Sequence, residues 1–254
     1  MKAAIAFGGL FAGALACCLP APAPVVQKPQ PQPKKTFQCH WATNKIKLDG
    51  VLNDVAWDNA EVIDLAVPWE NRPAKTVTKA RLLWDKNFLY FSAEMEDHDL
   101  FADVKEPNGI TWENDVFELF FKPDDKKLAY YEFQVTAANT PLELFLPSRG
   151  AGGYRRFASQ TEIHLESAVK LSGTLNDWKD RDKGWVVEGQ IPWAAFKPTG
   201  GRPQPGDKWR FALCRYDYSV TLEQPELSTC APLTQRDFHR YEDYAELVFV
   251  DRKN

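Results

Sequence analysis

The sequence predicts an all-β protein, an antiparallel β-sandwich of jelly-roll-like type built from about ten short strands with minimal helix. Three observations predict it. From residue 46 onward apolar residues recur mostly with period two in short runs, and clusters of Gly, Pro, Asn and Asp separate those runs. The 254 residues are also 44% hydrophobic and 13% aromatic, an ordinary globular composition able to fill the space between two packed sheets.

The elements follow in chain order. Residues 1–19 read as an export signal: Lys2 is the basic start, Ala3 to Leu19 is apolar but short of the roughly 20 residues that span a bilayer, and Ala14-Leu15-Ala16 fits a leader peptidase. The signal is either a lipoprotein type, with Cys17 or Cys18 lipidated, or one for plain secretion. Residues 20–35 form a proline-rich linker, with six prolines between Pro20 and Pro33 favouring a semi-rigid polyproline II spacer. Residues 36–254 read as one domain, because no repeat or shift in composition divides them.

Within that domain the strand runs are Val77 to Leu83, Phe88 to Met95, Val116 to Phe121, Tyr130 to Thr136, Leu142 to Leu146, Thr161 to Leu165, Ala168 to Leu175, Gly184 to Ile191, Lys208 to Asp217 and Ala245 to Val250. Short helical turns are expected at Leu52 to Trp57 and at Pro192 to Phe196, the second opened by a proline at a first helical position. Gly150 to Gly153 reads as a hairpin loop, since it does not open a helix after a strand.

Charge and cysteine narrow the partners. The net charge is −4, but the first 35 residues hold four lysines and no acid, so the domain itself carries −8. An acidic domain without a basic run has no electrostatic footprint for a phosphate backbone, and nucleic acid is not expected. Cys39, Cys214 and Cys230 lack metal-ligand spacing, which argues against zinc, and export would permit one disulfide among them.

No nucleophile elbow, zinc-protease helix or nucleotide-binding loop is present, and the four histidines are scattered. Acids are dense between Glu94 and Asp125. Two of them could serve a glycoside hydrolase, which needs carboxyls roughly 5 to 9.5 Å apart. The same acids could hold Ca²⁺, although Asp97-His98-Asp99 lacks the glycine and closing glutamate of an EF-hand loop.

Glu118 is the anomaly. Alternation in Asp115 to Phe121 places it on one face with Val116 and Phe120, inside an otherwise apolar strand, where a carboxylate is costly unless hydrogen-bonded or turned to a polar cleft. The next strand repeats the pattern, with Glu132, Gln134 and Thr136 sharing a face. Trp112 precedes the first of these strands. Polar planar groups beside a flat aromatic ring suit a sugar, whose hydroxyls want bidentate partners and whose C–H face stacks.

These residues carry a resemblance. Ile46 to Trp57 with Ala60, Leu83 to Phe91, Trp112 to Phe120, Tyr131 to Val135, Val187 to Trp193 and Phe238 to Phe249 are similar, in this order, to the motifs of family 9 carbohydrate-binding modules. The resemblance implies a β-sandwich that binds sugars, with Trp112 stacking and Glu118 bonding hydroxyls. It also implies an Arg where this chain has Gln134, and a second stacking Trp where this chain reads Ser228 to Pro232. Phe238 or His239 is expected to replace the lost wall, and Arg215 the lost cation.

The expectation is therefore non-catalytic carbohydrate binding by a monomer that is periplasmic, outer-membrane-anchored or extracellular, supporting polysaccharide degradation or uptake. A glycoside hydrolase is the alternative. Haem binding is a second, for which Met95 is the only methionine after the first residue and has no histidine among its strand neighbours.

Overall fold

The computed structural model describes residues 34–158 and 164–252. The expected leader, the linker as far as residue 33 and the first three residues of the expected strand Thr161 to Leu165 lie outside the described residues. In chain order the strands are β1 (Thr36–Trp41), β2 (Ile63–Asp64), β3 (Ala66–Val67), β4 (Arg72–Pro73), β5 (Thr78–Trp84), β6 (Phe88–Glu96), β7 (Val116–Lys122), β8 (Tyr130–Thr136), β9 (Pro141–Leu146), β10 (Glu166–Ser172), β11 (Gly184–Pro192), β12 (Lys208–Asp217), β13 (Glu226–Thr229) and β14 (Ala245–Phe249). Nine coincide with expected runs to within two or three residues.

They form two layers. The first sheet runs β9-β8-β7-β12, and the free edge of β12 is shared between β14 at Lys208 to Phe211 and β13 at Cys214 to Asp217. The second runs β10-β11-β6-β5. Their facing sides meet through aromatic rings. Phe91 of β6 stacks on Phe117 of β7 with centroids 6.4 Å apart, and Trp84 of β5 meets Phe249 of β14 edge-on at 5.3 Å.

β1 belongs to both sheets. Thr36 to Cys39 pair in parallel with β14, and His40 and Trp41 pair in parallel with β5. These two pairings depart from the all-antiparallel expectation. No hairpin joins β1 to either partner, so no short turn forces an antiparallel direction on it.

The two expected helical turns are 3₁₀ segments, Val55–Asn59 and Trp193–Thr199, and Pro192 caps the second from outside. The opening motif around Asp49-Gly50 is an anchor. The Glu188 carboxylate on β11 accepts the backbone N–H groups of Gly50 at 2.9 Å and Val51 at 3.1 Å, and the indole N–H of Trp57 at 2.9 Å. Gly50 has φ of 74°, and a Cβ there would approach Lys170 to 2.8 Å, so this seat needs a glycine.

Cys39, Cys214 and Cys230 are buried free thiols, so the disulfide that export would permit is not formed. Met95 packs in the core, 3% exposed.

Candidate functional site

Alternation divides β7 and β12 cleanly. Phe117, Leu119 and Phe121 face the sandwich core, so Val116, Glu118 and Phe120 face outward. Register carries that outward face across the sheet: Glu118 is paired with Gln134 on β8 and with Cys214 on β12, and Phe120 with Glu132. The outward face is not left to solvent. Every residue of β7 and β8 is buried, because segments 148–154 and 236–239 fold over it.

Between that face and its cover lies a cavity of about 530 Å³, inside the roughly 300–1,000 Å³ typical of small-molecule sites. Trp112, Glu118, Gln134, Phe238 and His239 all line it. The structure thus brings together five of the six residues expected from sequence.

Arg215 is the correction. It is paired with Phe117, so its side chain enters the core side of the sheet, where it is 1% exposed and outside the cavity lining. Its guanidinium meets Asp97 at 2.8 Å and Asp217 at 3.4 Å. The next residue, Tyr216, takes the place in the cavity wall that Arg215 was expected to fill.

The floor is polar and ordered. Gln134 accepts a hydrogen bond from the Thr111 hydroxyl at 2.5 Å through its amide oxygen, and its amide N–H donates to Glu132 at 2.6 Å. His239 Nδ1 lies 4.0 Å from the other Glu132 oxygen and 2.9 Å from the Tyr130 hydroxyl. Glu118, 2% exposed, makes no hydrogen bond within the described residues. Burial raises its pKa well above the usual carboxylate range, and the neighbouring Glu132 raises it further. Burial also raises Glu132, opposed by His239 and by the bond from Gln134.

The walls are aromatic. Trp112 meets Tyr154 edge-on, with centroids 4.7 Å apart, and Tyr216 meets Phe238 edge-on at 5.4 Å. Tyr154 opens the short helix α1 (Tyr154–Ala158), which directly follows the expected glycine loop, and Gly150 and Gly152 of that loop line the cavity. Sequence reasoning left Tyr154, Tyr130 and Tyr216 out of the site and kept Glu132 only as a strand pattern. The period-two face that singled out Glu118 also contained Glu132 and Tyr130.

Of the acids between Glu94 and Asp125, Glu118 alone lines the cavity. Asp97, Asp115 and Asp217 gather elsewhere, with ligand oxygens within 4.8 Å of one another on the core side of the sheet. Each of their oxygens is engaged by the chain. Asp115 accepts the N–H groups of Phe101 and Tyr218, Asp97 that of Asp99 and an Arg215 N–H, and Asp217 the Thr76 hydroxyl, with Arg215 beside its second oxygen. A Ca²⁺ ion, which takes six to eight oxygens, would have to displace Arg215 from them.

Comparison with known proteins agrees with this geometry. Residues 48–251 match the family model described as carbohydrate family 9 binding domain-like, and the chain belongs to that family. The endo-1,4-beta-xylanase A of Thermotoga maritima is 30% identical over 158 residues, a match covering 60% of this chain but only 12% of that protein. Two solved structures share the fold. A family 9 carbohydrate-binding module from Caldicellulosiruptor kristjanssonii in complex with cellotriose has a TM-score of 0.59 at 17% identity, covering 87% of this chain and 96% of that one. A module from the same organism in complex with glucose has a TM-score of 0.58 at 18% identity, covering 87% and 98%.

Proposed function

We propose that this chain binds a carbohydrate without catalysing its cleavage, one sugar ring sitting in the cavity against Trp112 while Glu118, Glu132 and Gln134 meet its hydroxyls. One observation carries this reading: polar side chains rise from the middle of a buried, otherwise apolar sheet face into an aromatic-walled cavity, where they can meet the hydroxyls of a polyhydroxylated ligand. Phe238 and Tyr216 serve as the second wall. The domain works as an exported monomer on its proline-rich spacer, in support of polysaccharide degradation or uptake.

Titration calorimetry against a panel of mono- and oligosaccharides tests it. A ligand should be found whose affinity falls by about 1 to 3 kcal/mol on Trp112→Ala, in line with truncation of other aromatic anchors. No binding by any glycan at millimolar concentration would refute the reading. Glu118, Glu132 and Asp237 all bring carboxyls to the cavity, so release of reducing ends by the wild type, lost on Glu118→Gln, would replace binding with hydrolysis.

A further inference from the structure

The floor of the cavity has a charge problem that a neutral sugar does not solve. Glu118 and Glu132 point from adjacent strands onto one face, with Gln134 beside them, and Asp237, which accepts the His239 backbone N–H at 2.9 Å, lines the same cavity from the covering segment. The amide is fully committed, its oxygen to Thr111 and its nitrogen to Glu132, and it brings no charge. Tyr216 and Cys214 face Glu118 from β12, and neither is a cation.

The cations that line the cavity are engaged elsewhere. Arg149 forms a two-pronged pair with Glu242 at 2.7 and 2.8 Å and lies over the Tyr241 ring. Arg236 donates to Gln224 and to the Pro225 carbonyl, both at 2.9 Å. His239 reaches Glu132 alone, at 4.0 Å, and its Nδ1 is also held against the Tyr130 hydroxyl. Glu118 has no positive partner within the described residues, although it is 2% exposed.

A buried carboxylate left in this state is relieved by a proton or by a cation carried on the ligand. The walls favour an organic cation, because Trp112, Tyr216 and Tyr130 line the cavity and aromatic rings attract such a cation. We propose that the preferred ligand of this pocket is a sugar bearing a free ammonium group, an unacetylated hexosamine, with its ammonium set between Glu118 and Glu132 and its ring against Trp112. This rests on the carbohydrate reading above and narrows it to a cationic class.

Protons give the proposal a second signature. Burial holds both carboxyls toward their neutral forms in the free protein, and an incoming ammonium favours the ionised form, so binding releases protons. Affinity therefore rises with pH while the carboxyls ionise. It falls again above roughly pH 8, where an amine of the α-amino type loses its charge.

Titration calorimetry at pH 7 with glucosamine, glucose and N-acetylglucosamine compares one ring with three substituents. Glucosamine should bind at least ten times more tightly than either neutral sugar, with proton release detected as a dependence of the observed heat on the buffer. Glu118→Gln and Glu132→Gln should each cut the ratio of glucosamine to glucose affinity severalfold, and thermal melts confirm that both variants fold. Wild-type proton release keeps the test intact if either variant does not. Glucose or N-acetylglucosamine binding as well as glucosamine would overturn the ammonium proposal and leave the carbohydrate reading standing. Methylammonium binding as tightly as glucosamine would also overturn it, since the ring would then contribute nothing. No binding by any of the sugars would remove both.

Discussion

Two acid clusters lie on opposite faces of the same sheet, and they are built by opposite rules. On the core side, Asp97, Asp115 and Asp217 surround Arg215, and every carboxylate oxygen has a partner supplied by the chain. On the outward side, β7 and β8 present Glu118 and Glu132 to a cavity, and Glu118 has no hydrogen bond within the described residues. Burial is nearly equal in the two places, so burial alone does not mark a site. What separates them is completeness: a closed network tells of folding, and an open one tells of a ligand.

The largest effect should come from breaking the closed cluster. Arg215→Met leaves three buried acids without their cation and is expected to cost about 3 to 5 kcal/mol in urea unfolding. A loss below about 1 kcal/mol would show that the acids are not held by that charge and would erase the contrast. Next in size is a pH effect. Burial pushes the Asp97 carboxyl up to about 6 in spite of Arg215, whereas an unfolded Asp titrates at about 3.9. Between those values the folded chain keeps a proton that the unfolded chain has lost. Stability contributed by this group therefore falls as pH rises from about 4 to about 6 and is level above, by at most about 1.4 kcal/mol per pH unit. Unfolding of wild type and Asp97→Asn at pH 4, 5, 6 and 7 isolates it, and parallel curves would mean that Asp97 does not titrate in this window. The smallest effect belongs to the open cluster and has the opposite sign. Glu118→Gln removes an unpartnered buried acid at nearly constant shape, so stability at pH 7 should stay level or rise by about 1 kcal/mol, measured by thermal melting. A drop of several kcal/mol would make Glu118 structural and undo the comparison.

The same contrast explains what was legible in the sequence. Alternation located β5 to β9, β11, β12 and β14 because each has one face in the core and is long enough to show a period. β2, β3 and β4 are two residues each, too short for any period, and β1 pairs with a strand some 200 residues away that no local pattern announces. Glu118 was legible because its face was otherwise apolar. Arg215 was misplaced because it was chosen for its charge as a replacement cation, although Phe211 and Leu213 lie at its own parity and mark that face as core. Tyr154 and Arg149 come from the covering segment, whose approach to the sheet is set by tertiary contacts and not by periodicity.

The strand shared by the two sheets has a mechanical consequence. β1 starts at Thr36 and runs in parallel with β14 and then with β5. A pull applied at its start runs along the hydrogen-bonded edges of both sheets. The bonds are then loaded together in shear and cannot open one at a time like a zipper, so a force entering through β1 is shared between the two sheets.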